Sequence, residues 1–550
     1  MEVGFVSKCW KTIRGSLPGW RLAGCSLLSG LLLAAAFPGW EISVLAFVAF
    51  IPLILAILDE PFSFVRSFLA GWLFGVCFFS LSVWWLTFAP ITYAGFPVIL
   101  TYFLLLIATS VVSIFFGFAV ALFGLAVRRY GITAVWFLPF IWVALEFLRL
   151  NLTGNSWNTV GYSQAFGPLV RLGALGGVNF VSFLVMTVNA GLAWPIAAFL
   201  KRKSESAPSI AFAALGFFPI AAISGIAFML GPGGNTEEFK NFHDTESVVV
   251  ALQPNIPMSG LNMRKWGELR ARQAEIGKKA IRDARASGKF PVDKPVTLVF
   301  PESPMNFQYE EDLQFQTFIN DFARNNDVSV LFNSAEPDRR REYGYFNSAV
   351  LVSKGGKKLA QYDKIHLLPF GEFVPLPEFA QELIPPMVGR FSFGEEYDLL
   401  PFGNAKAGIM ICFESHFASL SREFVKNGAD LLVEMTNDGY LGPTPVLRQH
   451  LASAAFRAAE TRRPLLRVTN VGITGYIDEF GAVSDTAKSY SEAVRVWPVR
   501  KSTGEITPFV RFGEWIAWFS LVLTVLSLPF LLRRFPKPPL GDEAVKPVIL

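Results

Sequence analysis

Cys412 is the one cysteine in the polar part of the chain, and it comes directly after the apolar run 406–411. Such a run is typical of a buried strand, and the reactive groups of α/β folds collect where strands end. A thiol at that point could act as a nucleophile once a nearby base takes its proton. The alternative is a small buried core residue, since unpaired cysteines are among the most buried residue types.

Glu302 and Lys364 could supply the proton acceptor and a positive charge. Glu302 follows the strand-like run 296–300 and a proline, where partial desolvation would raise its pKa toward that of a general base or acid. Lys364 is flanked by apolar residues, and an ammonium drawn into a site would favour a thiolate and stabilise an oxyanion. Taken singly, Glu302 could be a solvated turn residue and Lys364 a solvated loop residue.

A Cys–His pair is the rival arrangement, because His366 and His416 lie near these motifs. His416 is four residues past Cys412, a spacing that allows pairing in a helix but not at a strand end. No spacing of His, Cys and carboxylate residues indicates a metal site. The segment Lys354-Gly-Gly-Lys-Lys predicts a charged hairpin turn and lacks the Gly-Lys-Ser/Thr of a phosphate loop. The sequence therefore predicts neither a metal nor a cofactor.

The composition indicates the setting in which these groups are held. The chain has 550 residues, of which 52% are hydrophobic and 17% charged, with 54 Phe and 14 Trp. Soluble domains carry about a quarter charged residues, so a disordered chain and an ordinary cytosolic enzyme are excluded and a membrane protein is favoured. The net charge of +5 gives no reason to expect nucleic acid, and four cysteines are too few for a disulfide scaffold.

Uncharged stretches of spanning length follow one another up to about residue 230, and one more lies near the end of the chain. They predict a multi-pass α-helical membrane domain of about eight helices, at 22–37, 42–58, 68–88, 97–127, 132–150, 174–199, 208–230 and 512–532. Between the last two lies a β-rich polar segment. The predicted domains are a transmembrane domain 1–230, a soluble domain 231–507, and a final helix with its tail 508–550.

Lys and Arg are concentrated in alternate loops, for example at 128–129 and 201–203, whereas 38–41 and 89–96 contain none. By the positive-inside rule both termini face the cytoplasm and the soluble domain lies on the outer face of the membrane. A cleavable signal peptide at 1–37 is an alternative for the first stretch, and it would leave this orientation unchanged.

The polar motifs match a known family. The soluble part resembles the nitrilase superfamily, an α-β-β-α sandwich with a Glu-Lys-Cys triad, and the whole chain resembles the apolipoprotein N-acyltransferase family of the bacterial inner membrane. The matching segments are 301–303, 362–375, 411–414, 463–467 and 469–474. The resemblance implies that Glu302 is the general base, Lys364 the oxyanion-side lysine and Cys412 the nucleophile. The supporting residues that it implies are Glu372, Glu414, Asn347, Phe413 (tyrosine in many relatives) and Trp266.

This resemblance implies a ping-pong acyl transfer without a cofactor. A phospholipid would give its acyl chain to Cys412 as a thioester, and the α-amine of a diacylglyceryl-cysteine apolipoprotein would receive it. The expected enzyme is a monomer in the inner membrane with a periplasmic catalytic domain and no nucleic-acid partner. The apolar segment 375–393 is predicted to lie over the bilayer and gate the site.

Two other functions remain open from the sequence. A membrane-tethered nitrilase-type amidohydrolase would share the triad but release its product to water. A transporter with an inert soluble domain is a different class, although the helices contain few of the ionisable residues that mark a transport path.

Overall fold

The computed structural model describes residues 17–60, 63–154, 156–200, 215–230, 238–242, 244–260, 263–288, 293–302, 307–341, 344–369, 371–374 and 391–533. Within these ranges a bundle of apolar helices packs against an α/β domain. The helices that precede the α/β domain are Trp20–Ala36 (α1), Ile51–Asp59 (α2), Phe64–Ser82 (α3), Phe88–Thr92 (α4), Val98–Val112 (α5), Ile114–Tyr130 (α6), Leu138–Thr153 (α7), Gly173–Leu200 (α8) and Phe218–Leu230 (α9).

Four helical segments of the described chain are long and apolar enough to cross a membrane, judged by length and composition: Phe64–Ser82, Val98–Thr153, Pro168–Leu200 and Trp515–Leu532. The shorter apolar helical segments are Trp20–Ala36 and Ser43–Asp59. The predicted count of about eight spans is therefore not established. One reason is that the segment Val98–Thr153 contains three helices, α5, α6 and α7, where two spans were predicted. Another is that part of the predicted span 208–230 lies outside the described residues.

The predicted single helix 97–127 is two helices, α5 and α6, which meet at Ser113. The Ser113 hydroxyl donates to the Thr109 carbonyl at 2.6 Å. Such back-bonding competes with the helical ladder and bends helices. In the packed part of the bundle, α3 and α6 approach so closely that a Cβ on Gly71 would lie 2.3 Å from the Phe116 carbonyl oxygen. Small residues allow this approach, as in other membrane helix pairs.

The α/β domain contains two sheets. Its strands are Ser247–Gln253 (β1), Val296–Val299 (β2), Ser329–Asp338 (β3), Gly344–Val352 (β4), Lys358–Asp363 (β5), Phe391–Ser392 (β6), Leu399–Phe402 (β7), Ala405–Ile411 (β8), Leu431–Thr436 (β9), Leu465–Thr469 (β10), Gly475–Ile477 (β11), Val483–Ser484 (β12) and Ala493–Val499 (β13). The first sheet has the order β13-β1-β2-β3-β4-β5, with β6 on β4, and the second has the order β12-β11-β10-β9-β8-β7. The strands β1-β2-β3 and β8-β9-β10 run parallel.

Helices cover the outer face of each sheet. Met263–Ala286 (α10) and Leu313–Asn326 (α11) share a core with β1 to β4, and Ala418–Lys426 (α12) and Val446–Thr461 (α13) pack on the second sheet. Gly408 of β8 faces α12, because a Cβ there would be 2.6 Å from the Phe424 ring. Side chains alternate along a strand, so Ala407 and Ile409 face the first sheet. The layer order is the expected α-β-β-α.

The bundle and the α/β domain share a core. Helix α13 contacts α8, and Val446, Leu447 and Phe456 belong to the same apolar cluster as the bundle helices. The short helix Pro508–Phe512 (α14) then leads to the last helix, Trp515–Leu532 (α15), which packs on α7. The last helix thus returns the chain from the α/β domain to the helix bundle.

Candidate active site

Cys412 lies where β8 ends and the 3₁₀ turn Cys412–His416 begins, as the sequence predicts. Its φ is +53°, in the left-handed region. This conformation costs a non-glycine residue about 1–2 kcal/mol, so the surrounding contacts must hold it. The sharp change of direction places Cys412 at the edge of the sheet, where the residue as a whole is half-buried.

Glu302 follows β2 and reaches the same edge of the two sheets. Its carboxylate accepts hydrogen bonds from the Asn347 side chain and from the backbone N–H of Asn437, both at 3.2 Å. The Cys412 thiol lies close to it, since each group affects the pKa of the other. Burial raises the pKa of Glu302, and Glu372 adds to this, although Lys364 acts in the opposite direction. The predicted upward shift of this pKa is therefore confirmed, and it suits a proton acceptor.

An apolar cavity of about 30 Å³ next to Glu302 explains that burial. Aromatic rings dominate its wall, among them Phe300, Phe307 and Phe332. A carboxylate with such a wall on one side lacks the water that would stabilise its charge.

Lys364 is drawn fully into the site, with 1% of its side chain exposed. Its ammonium lies 2.8 Å from Glu372 Oε2 and 3.8 Å from Glu302 Oε1. Burial alone would lower the pKa of Lys364, but Glu372 and Glu302 outweigh burial and raise the pKa, so the ammonium keeps its charge. The reading of Lys364 as a solvated loop residue is wrong.

Lys364 favours the thiolate of Cys412, as expected, but its effect is outweighed by the surroundings of the sulfur. Burial and the charge of Glu302 raise the pKa of Cys412 well above its usual value, and the opposing effect of Lys364 is smaller. The resting sulfur is therefore a thiol. Cys412 can ionise by passing its proton to the nearby carboxylate of Glu302.

Glu372 and Asn347 fix the base and the lysine relative to each other. Asn347 donates to Glu372 Oε1 at 2.6 Å as well as to Glu302, and Glu372 Oε2 accepts from the Leu368 N–H at 2.7 Å. The Asn347 amide is itself held by the Asn333 side chain at 2.6 Å. A lateral shift of the Glu302 or Glu372 carboxylate would break one of these linked hydrogen bonds.

Glu414 joins the nucleophile strand to the lysine segment. One carboxylate oxygen accepts from the N–H of Ile411 at 2.8 Å, and the other from Tyr362 and from the N–H groups of Ile365 and His366 at 2.8–3.0 Å. Because these partners flank Cys412 and Lys364, Glu414 sets the distance between the two segments.

Two supporting residues and the predicted gating segment remain. Phe413 is buried, and its ring packs on Phe417 at 5.2 Å, so an aromatic side chain fits here without a hydroxyl. Trp266 lies in α10, and its side chain is outside the described part of the structure. The predicted gating segment 375–393 also lies outside the described residues except at its end.

The rival Cys–His pairing is not favoured by the positions of the two histidines. The His416 ring stacks on Trp157 with a centroid distance of 3.9 Å, and its Nδ1 faces the Phe413 carbonyl at 3.3 Å. The His366 ring stacks on Phe417 at 3.9 Å, and burial lowers its pKa to about 4. The charged group with the largest effect on the pKa of the thiol is Glu302.

Sequence reasoning missed a histidine that does contact the nucleophile. His450 of α13 has its Nε2 3.1 Å from the Cys412 carbonyl oxygen. Its Nδ1 is 2.7 Å from Asp438 Oδ1. The sequence signal that could have led to His450 is Glu434. A carboxylate inside an apolar strand such as β9 needs buried cationic partners.

The mouth of the site adjoins the bundle. Tyr440 is 50% exposed and lies near the reactive groups, whose charges contribute to raising its pKa after burial. Its ring is 6.4 Å from that of Tyr93, which follows α4, and the Tyr93 hydroxyl donates to the Gly439 carbonyl at 3.2 Å. The loop that borders the thiol therefore rests on a segment of the apolar bundle.

Comparisons with known proteins agree with this architecture. The family model described as carbon-nitrogen hydrolase matches residues 291–503, which hold the candidate site, and the model described as apolipoprotein N-acyltransferase N-terminal domain matches residues 29–191. The site thus belongs to a nitrilase-like carbon–nitrogen hydrolase domain joined to a membrane domain. The nitrilase-superfamily amidase from Nesterenkonia AN1 matches with a TM-score of 0.35 and 16% identity, covering 47% of this chain and 92% of that chain.

Two relatives that match nearly the whole chain show the family to which it belongs. The apolipoprotein N-acyltransferase of Geobacter metallireducens is 33% identical over 519 residues, covering 92% of this chain and 95% of the relative. That of Thermotoga maritima is 27% identical over 528 residues, covering 92% of each. The chain belongs to the apolipoprotein N-acyltransferase family. It is a membrane protein and an acyltransferase.

Proposed function

We propose that the protein transfers an acyl chain from a membrane phospholipid to the α-amine of the diacylglyceryl-cysteine at the N-terminus of apolipoproteins, with Cys412 as the carrier. The observation that carries the proposal is the meeting of the thiol, a buried base and a buried ammonium next to a segment of the apolar bundle. Both substrates keep their acyl chains in the bilayer, since each buried CH₂ is worth about 0.8 kcal/mol. A site at this surface avoids their extraction.

In the first half-reaction Cys412 attacks the ester carbonyl of the phospholipid. Its proton passes to Glu302, and the Lys364 ammonium stabilises the oxyanion that develops on the carbonyl oxygen. The C–O bond then breaks, and the departing alkoxide of the lysophospholipid takes the proton from Glu302. The acyl chain remains on Cys412 as a thioester.

In the second half-reaction the apolipoprotein amine attacks the thioester carbonyl. Glu302 accepts the amine proton, the C–S bond breaks and the sulfur recovers a proton from Glu302, so the enzyme returns to its starting state. Glu372, Asn347 and Glu414 keep the three groups in place through the contacts described above. Trp266 and Phe413 are proposed to border the substrates.

The proposal includes the orientation of the protein. The bacterial inner membrane would hold residues 1–230 and 508–550, with both termini cytoplasmic, and the catalytic domain 231–507 would face the periplasm as a monomer that binds no nucleic acid. The Lys and Arg distribution supports this orientation. A cysteine introduced at an exposed position of α10, such as Glu275→Cys, should react with a membrane-impermeant maleimide in spheroplasts, whereas labelling only after lysis would contradict it.

The test of the activity is mass spectrometry of the full-length enzyme in phospholipid vesicles. The expected result is an acyl adduct on Cys412 that is discharged rapidly by a diacylglyceryl lipopeptide amine and slowly by water. Rapid discharge by water would instead indicate an amidohydrolase-like enzyme, and the absence of an adduct would contradict the proposal. The variant Cys412→Ser should carry no thioester.

A further inference from the structure

Four ionisable side chains lie buried together behind the nucleophile: Glu434, Asp438, His450 and Arg467. They come from β9, from the turn after it, from α13 and from β10. Arg467 donates to Glu434, and to Asp438 Oδ2 at 3.0 Å. His450 Nε2 lies 3.0 Å from Glu434 Oε1. Each carboxylate therefore contacts both cationic side chains.

His450 faces acceptors on both sides of its ring. Its Nδ1 is 2.7 Å from Asp438 Oδ1, and its Nε2 is 3.1 Å from the Cys412 carbonyl oxygen. A carboxylate and a carbonyl can only accept, so both ring nitrogens must carry a proton. The charges of the four groups then cancel, with two carboxylates, one guanidinium and one imidazolium. Although burial and Arg467 oppose the charged form, the two carboxylates raise the pKa of His450 to about 9.

The turn that carries Asp438 also contacts the proposed base. Asp438, which holds His450, directly follows Asn437, whose backbone N–H donates to Glu302 Oε2 at 3.2 Å. One turn therefore contacts the base on one side and, through His450, the backbone of Cys412 on the other. Since the φ of Cys412 is in the left-handed region, its peptide group needs such a contact to keep its direction.

We propose that His450 is a positioning residue for the acyl transfer: as an imidazolium it holds the Cys412 carbonyl, so that the strained turn keeps the thiol directed at Glu302, while Glu434, Asp438 and Arg467 keep it charged. This inference rests on the proposed function. The cluster is buried behind the turn, so its side chains act on the reaction through Cys412 and not by contact with substrate.

The experiment compares three variants of the full-length enzyme in phospholipid vesicles. His450→Leu removes both donors, His450→Gln keeps one amide donor without the charge, and Thr461→Val removes a buried hydroxyl at the other end of α13, where it donates to the Arg457 carbonyl. For each variant we would measure kcat and KM for thioester formation, the alkylation rate of Cys412 by iodoacetamide and the thermal midpoint.

For His450→Leu we expect kcat for thioester formation to fall about 10- to 100-fold, as for a small misplacement of a reacting group, with KM for phospholipid nearly unchanged. Alkylation of Cys412 should slow in parallel, and His450→Gln should recover part of both rates. Thr461→Val should keep both rates at their wild-type values even if its thermal midpoint falls. If His450→Leu does not fold, the rates of thioester formation and of Cys412 alkylation in His450→Gln test the role of His450.

The inference is overturned if a folded His450 variant keeps the wild-type rates. It is also overturned if Thr461→Val loses as much rate per degree of thermal midpoint as the His450 variants do. Iodoacetamide needs neither lipid nor acceptor. If the wild-type enzyme forms no acyl adduct, the proposed function fails, while the alkylation rates still test the role of His450.

Discussion

The reactive sulfur is protonated at rest, because burial and Glu302 together outweigh the nearby ammonium of Lys364. In the proposed mechanism Cys412 ionises as Glu302 accepts its proton. A thiol is far less easily oxidised or alkylated than a thiolate, so the protonated resting state protects the nucleophile between turnovers.

At this scale Glu302→Gln is the most direct test of the base. The amide preserves the shape and can still contact Asn347, but it cannot accept the thiol proton. We expect thioester formation to fall about 10²- to 10⁴-fold, measured as acyl-Cys412 by mass spectrometry. Glu311→Gln, at an exposed carboxylate before α11, serves as the matched control and should keep the normal rate.

His450 gives a pH dependence of stability. Its pKa in the folded protein is raised from 6.5 to about 9, so its contribution is fully present below about pH 6.5 and is lost as the pH rises through 9. The shift corresponds to at most about 3 kcal/mol. The thermal midpoint of the wild type should therefore fall over this range more steeply than that of His450→Gln. Parallel curves for the two proteins would show that His450 is neutral.

At the scale of elements, the ends of β2 and β8 could be predicted from the sequence, but the contacts of helix α13 could not. The runs 296–300 and 406–411 are within a residue of β2 and β8, and the turn after Ser353 connects β4 and β5 as expected. Short β-branched runs bounded by Pro or Gly are local signals. The contacts of α13 are not local: Gln449 and His450 are adjacent in sequence, yet one reaches the bundle and the other the nucleophile.

The same limit applies to the site. Glu302 and Cys412 were indicated because each stands at the end of an apolar run, and Lys364 by the motif that it shares with the family. The contribution of Asp438 and Glu434 depends on a pairing across β9, β10 and α13, which periodicity does not reveal. The bend at Ser113 was likewise hidden, since a serine inside an apolar run looks like continued helix.

Gln449 is the element-scale test of the junction. Its side chain accepts from the indole N–H groups of Trp85 and Trp157 at 3.0 and 2.8 Å, and it donates to the Pro38 and Ser82 carbonyls. Gln449→Leu would leave several buried polar groups unpaired. We expect it to destabilise the protein by about 2–4 kcal/mol, seen as a lower thermal midpoint.

The matched control for Gln449→Leu is Gln314→Leu, at an exposed position of α11, which should leave the midpoint nearly unchanged. Equal effects of the two substitutions would mean that the junction contributes little to stability.

At the scale of the whole molecule, the mouth of the site lies between the α/β domain and the bundle. Tyr440 and Tyr93 border it, and neither belongs to the triad. In the proposed reaction the thioester must be shielded from water while it waits for the amine. The aromatic pair at the mouth is suited to this shielding.

Tyr440→Ala should therefore shorten the lifetime of acyl-Cys412 in water while thioester formation continues. The decay of the adduct after removal of phospholipid measures this lifetime, and we expect it to fall several-fold. Tyr130→Ala, which removes an exposed ring that stacks on Phe137 elsewhere in the bundle, is the control. An unchanged lifetime in Tyr440→Ala would show that other groups exclude the water.

The shared core of α13 and the helices around it bears on how the protein can be handled. Cutting the chain on either side of the α/β domain would uncover Val446, Leu447 and Phe456, together with the buried ion pair of Arg457 and Glu460, whose carboxylate also accepts from the Val178 N–H. A fragment containing the α/β domain alone would expose this apolar surface to water and would tend to aggregate. Screens for inhibitors should for this reason use the intact polypeptide in detergent or nanodiscs.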